Sequence, residues 1–99
     1  MPRNRMRPVH PGEILRDDVL KELRLSANAL AKELGVPANR VTAIINETRG
    51  VSADTALRLS RYLGTTPQFW LNLQTSYDLR KAERESGQDI AKRVKPRAA

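Results

Sequence analysis

From about residue 9 to residue 85 the hydrophobic positions of this chain recur at helical rather than strand spacing. Leu15, Val19, Leu20 and Leu23 form the first apolar stripe, opposite an arc of Glu13, Asp17, Asp18, Lys21, Glu22 and Arg24. His10, Pro11 and Glu13 fit the N-cap, N1 and N3 positions of that helix, since proline lacks the N–H that would go unpaired at N1. Val9 is placed to pack on Ile14 as a hydrophobic staple, which takes Ile14 off the stripe. A second, short helix opens at Ser26 with Ala27, Leu30, Ala31 and Leu34 on its inner side. Gly35 supplies the left-handed stop, and Val36-Pro37 makes a turn. A third helix follows to Asn46. At about 100° per residue, Val41, Ile44 and Ile45 share one narrow face, while Asn39, Ala43 and Asn46 lie opposite, flanked by Arg40 and Thr42.

Arg49-Gly50 reads as the next turn. Ser52 caps a fourth helix, with Asp54 in its first turn, Val51 set to staple onto Ala56, and Ala56, Leu59 and Leu63 inward. Thr66 caps a fifth, with Pro67 at N1, running to roughly Glu85 before Ser86-Gly87. This helix has two apolar surfaces: Phe69, Trp70, Leu73 and Tyr77 on one, Leu71, Leu79 and Ala82 on the other. One surface suffices for a core, so the second points to a partner. No strand alternation, hairpin signal or internal repeat interrupts the pattern. The expected fold is all-α: five helices over residues 9–85, a basic arm over 1–8 and a basic flexible tail over 86–99.

Composition narrows the function classes. Ninety-nine residues give room for a single domain, and 39% hydrophobic with 29% charged residues is ordinary for a folded protein. The absence of cysteine excludes disulfides and thiolate metal sites. No apolar run approaches the roughly 18 residues of a membrane span, and the N-terminus lacks a signal-peptide core, so the expected address is the cytoplasm. His10, the sole histidine, has no second imidazole or thiol to pair with, and the acids of the first helix spread around its arc. Neither catalysis, nor a metal, nor a cofactor is expected. The net charge of +7 is concentrated at the ends: residues 1–9 carry three arginines and no acid, and residues 81–99 carry six bases against three acids. Basic arms of this kind suit a polyanionic partner, or simply keep the chain soluble.

Two short helices joined by a glycine turn are suited to DNA. The major groove is about 12 Å wide and admits one helix, whose outward N-terminal residues reach base edges while the preceding helix meets the phosphates. Ser26 and Asn28 open the first of the pair. On the second, Ala38 lies at the start, Asn39 has the amide to grip adenine, and Thr42 and Ala43 are short enough for close approach, including to a thymine methyl. Arg40 has two open roles, guanine or phosphate. Asn46 has two as well, phosphate ligand or left-handed C-cap. Arg49 would add a phosphate contact.

The segment AKELGVPANRVTAIINETRG, preceded by HPGEIL and followed by VSADTALRLSRYLGTTPQFWLNLQTSYDL, resembles the HigA family of antitoxins over about residues 8–85. The resemblance implies a compact five-helix, lambda-repressor-like domain and a homodimer that represses its own operon at a palindromic operator. It also implies binding and neutralisation of a cognate mRNA-cleaving toxin. It assigns Ser26 and Asn28 to the backbone-contacting helix, Ala38, Asn39, Arg40, Thr42 and Ala43 to the groove, and Asn46 and Arg49 to phosphate. The fifth helix, with Trp70, Leu71, Leu73, Tyr77 and Leu79, is assigned to core completion and dimerisation. One departure stands out: such proteins usually carry glycine after the Asn46 equivalent, where this chain has Glu47. A carboxylate there is expected to need Arg49 or Arg40 as a counter-charge. A repressor without a toxin partner is the alternative function. In a third, protein-binding reading, Asp17, Asp18 and Glu22 meet a basic partner.

Overall fold

The computed structural model describes residues 7–98. Five helices make up the described chain, with no strand among the described residues. The first, α1, spans 11–23 in three pieces: Pro11–Ile14, a π-helical Leu15–Leu20 and Lys21–Leu23. Then follow α2 (Ala27–Leu34), α3 (Ala38–Ile45), α4 (Ala53–Leu63) and α5 (Pro67–Arg93). The caps fall where the residue types predict. Ser26, Ser52 and Thr66 accept from Ala29, Thr55 and Phe69 N–H. Gly35 takes the left-handed conformation at φ 70°. No helix among the described residues is long and apolar enough to cross a membrane.

The π-turn alters the expected face of α1. Residues five apart diverge by about 140° in an α-helix, yet Leu15 and Leu20 are both buried, because the wider turn brings i and i+5 together. The last turn is rotated as a result, and Leu23 leaves the core at 47% exposure. Glu13 also departs from the solvated arc. It is buried, and Arg7 grips both carboxylate oxygens at 2.8 and 2.9 Å. A carboxylate removed from water needs such a fork. The rest of the expected 1–8 arm, residues 1–6, lies outside the described residues.

The core is one cluster drawn from every helix: Leu15 and Leu20, Leu30 and Leu34, Val41 and Ile44, Ala56 and Leu59, and Trp70. Val51 and Ala56, the expected staple pair, are both buried within it. Gly12 lets α1 approach the end of α3, since a Cβ there would overlap the Ile44 carbonyl oxygen. The inward side of α5 is Trp70, Leu73, Gln74 and Tyr77. Trp70 is 1% exposed with its indole N–H on Thr65 Oγ1 at 2.8 Å, and Gln74 accepts the Val51 N–H. The fifth helix does not stop near Glu85 but runs through Gly87 to Arg93. Helix formers on either side and the Arg93–Asp89 ion pair one turn apart offset the cost of about 1 kcal/mol for glycine. Among the described residues the irregular tail is therefore confined to 94–98.

His10 caps α1 through Nδ1, which accepts the Gly12 N–H at 2.9 Å, and its ring meets Tyr77 edge-on with centroids 4.8 Å apart. Burial lowers its pKa from 6.5, outweighing the nearby Glu47 and Asp78 carboxylates. The neutral ring is the folded form. Its stabilisation is complete above about pH 6.5 and is lost as pH falls through the lowered folded value. The melting temperature is expected to fall between pH 7 and pH 5. His10→Asn, which keeps a capping acceptor without the titration, should flatten that dependence in calorimetry; an unchanged slope would remove His10 as its source.

Candidate DNA interface

Val41 and Ile44 anchor α3 by its inner face, with Ile45 half-buried beside them. Ala38 and Asn39 are exposed at the opposite side of the N-terminal turn. Thr42 is half-buried, its hydroxyl shared between the Ala38 and Asn39 carbonyls at 3.3 Å, and Ala43 is half-buried too. Asn46 and Arg49 are exposed at the far end. On α2, Ser26 and Asn28 are exposed in the first turn, Ser26 Oγ being engaged by the Ala29 N–H at 3.0 Å. The outward residues read from the helical wheel are thus exposed or half-buried, on the sides of α2 and α3 away from the core.

Arg40 is an exception to that outward set. Its Nη1 pairs with Asp54 Oδ2 at 2.8 Å, and the same oxygen receives Arg58 Nε at 2.9 Å. Arg58 Nη1 in turn donates to the Leu34 carbonyl at 2.8 Å, tying the first turns of α4 to the end of α2. The two guanidiniums hold the Asp54 carboxyl below its usual range, Arg58 through its hydrogen bond first and Arg40 second. Arg40 is thus turned toward α4, at the flank of α3 rather than on its crest. Two cations share one acid, so the recess formed with Arg49 and Ser52 stays net positive.

The end of α3 corrects one reading and sharpens another. Asn46 is the C-cap at negative φ, in the bridge region (φ −82°, ψ 1°), and Glu47 takes the left-handed position at φ 63°. Thr48 N–H returns to the Ala43 carbonyl and Glu47 N–H to that of Ile44, both at 2.9 Å, a Schellman closure built without its usual glycine. The nearest basic partner of Glu47 is neither Arg49 nor Arg40. It is Arg16 of α1, at 3.9 Å, which also donates to the Ile45 carbonyl. The sequence gives little warning of that pairing, because it depends on how α1 lies across α3.

The fifth-helix set divides by burial. Trp70 is enclosed by its own protomer and offers no surface to a second copy. Leu71, Leu73 and Tyr77 are half-buried, the two leucines against the core. Leu79 is 59% exposed, followed along the helix by exposed Ile90. No group of three acidic or imidazole side chains able to hold a metal occurs among the described residues.

Two eight-residue helices joined through a left-handed glycine, the second with a buried inner and a polar outer face, define a helix-turn-helix protein. A helix-turn-helix family profile matches residues 18–70. Virulence-associated protein I of Dichelobacter nodosus is 55% identical over 83 residues, covering 84% of this chain and 77% of that protein. Antitoxin HigA-1 of Vibrio cholerae is 41% identical over 97 residues, covering 97% and 90%. Pseudomonas aeruginosa antitoxin HigA, solved with the higBA promoter, superposes with a TM-score of 0.89 at 49% identity over 93% of this chain and all of that one. The chain belongs to the HigA family of helix-turn-helix antitoxins.

A left-handed non-glycine residue costs roughly 1 kcal/mol, and an exposed ion pair at 3.9 Å returns little of it. Glu47→Gly is accordingly expected to raise the melting temperature by several degrees, about 4–8 °C per kcal/mol for a domain of this size. An equal or lower value in thermal denaturation would show that the Arg16 contact outweighs the strain.

Proposed function

We propose that this chain is an antitoxin that represses its own operon and that also binds and neutralises an mRNA-cleaving toxin. The observation that carries the DNA half is the outer surface of α3. Ala38, Asn39, Thr42 and Ala43 are short side chains around the end that would enter the groove, and Asn46 and Arg49 stand at the other end. Asn39 reads a base edge through its amide, while Thr42 and Ala43 allow the helix to sit deep. Ser26 and Asn28 at the start of α2, with Asn46 and Arg49, meet phosphates and fix the register. Arg40, held at the flank by Asp54, contacts phosphate rather than guanine.

A homodimer places two copies of α3 in successive major grooves about 34 Å apart, over a palindromic operator. Its seam runs along the exposed side of α5 at Leu79, with half-buried Leu71 at its margin, while Leu73 and Tyr77 face inward. Operator binding puts the protein on the nucleoid in the cytoplasm. The toxin half rests on family membership. A HigA relative of known structure was solved with its promoter, which supports the same use of the surface here.

Band shifts on the gene's own promoter test the DNA half, with co-expression of the adjacent reading frame as the test of neutralisation. Asn39→Ala is expected to lose about 1–3 kcal/mol of operator affinity and discrimination at one base pair. Arg40→Ala should weaken operator and random DNA alike and lower the salt slope by about one. A selective loss on the operator for Arg40→Ala would return that residue to base reading. No binding of the wild type to its promoter would overturn the repressor reading.

A further inference from the structure

A groove of about 370 Å³ opens between the outer side of α1 and the start of α5. Its floor is apolar, with Val19, Leu23, Leu63 and Phe69, and its rim carries Asp18 and Glu22. Leu23 and Phe69 are 47% and 43% exposed, a large apolar area left open by a small domain. The groove exists because the π-turn in α1 rotates Leu23 out of the core, while Phe69 stands edge-on against Trp70 at 5.0 Å. Among the described residues, no basic side chain lines it. A second recess with exposed apolar side chains, against α4, is lined by charges of both signs: Glu33, Asp54, Arg58 and Arg61.

We propose that this groove is the docking site for the toxin, receiving an apolar side chain flanked by lysine or arginine on a basic, RNA-cleaving protein. The inference rests on the antitoxin reading above and assigns it a surface. Charge selects the occupant. A protein that cleaves RNA must bring positive charge to a polyanion, and that charge is complementary to the Asp18 and Glu22 carboxylates at the rim. A second copy is a poor fit, because a two-fold contact sets each patch against itself and would face Asp18 and Glu22 with their own duplicates. The groove residues all lie outside 26–50, so α2 and α3 are not part of the toxin contact.

The test measures binding of the full-length chain to the purified product of the adjacent reading frame, with operator band shifts in parallel. The double variant Asp18→Asn/Glu22→Gln should slow association about tenfold at low salt and flatten its salt dependence, because rim charges act mainly on encounter. Leu23→Ser should speed dissociation about tenfold, because it empties the apolar contact. Both variants should keep the wild-type oligomeric state by light scattering, operator affinity within about twofold, and cooperative melting. Wild-type toxin binding by both variants overturns the groove assignment and leaves the antitoxin reading standing. Conversion of either variant to monomer assigns the groove to the dimer seam and also overturns it. If the wild-type chain binds no such protein, the antitoxin reading fails and the groove assignment with it.

Discussion

A helix of eight residues does not hold itself. Isolated helices below roughly 12 residues are marginal in water, so α3 keeps its shape and direction only through what grips it. Val41 and Ile44 supply the apolar hold from below. The remaining restraints come from three other helices. Gly12 lets α1 close onto the Ile44 carbonyl, and Arg16 reaches the carbonyl of Ile45. Asp54 on α4 binds Arg40, and Gln74 on α5 takes the N–H of Val51 just past the following turn. The polar crest can stay polar because the fixing is done on the other sides of the helix.

This arrangement divides labour between burial and charge. The buried residues set the angle of α3, and an error there would move every outward side chain together. The ion pairs among Arg40, Asp54 and Arg58 are exposed and individually weak. Their effect is directional. They keep one cation at the flank and, through the Leu34 carbonyl, tie the α2–α3 turn to α4. His10 links the same assembly to α5, capping α1 with one ring nitrogen while its ring makes a T-shaped contact with Tyr77.

What was legible in the sequence was what is local. Caps such as Ser26, Ser52, Thr66 and His10 act within three residues of themselves, and their residue types name them. The inner face of α3 follows from periodicity, and so does the left-handed Gly35. What was not legible depends on distant chain. The π-turn of α1 satisfies burial of both Leu15 and Leu20, a tertiary demand that spacing alone misstates. Asp54 lies 14 residues from Arg40, and Arg16 lies 31 from Glu47, so neither partner could be chosen before the helices were placed. Trp70 has the character of an interface residue and is instead enclosed by its own protomer. Gly87 looked like a stop because propensity is local, yet the helix formers around it carry α5 onward.

The central claim is that α3 of a two-fold dimer reads the gene's own promoter. Hydroxyl-radical footprinting of the full-length protein on that promoter tests it most directly. The expected result is two short protected patches on one face of the duplex, centred about 10 bp apart and related by a palindrome. A single protected patch, or uniform protection without a preferred site, would contradict the account.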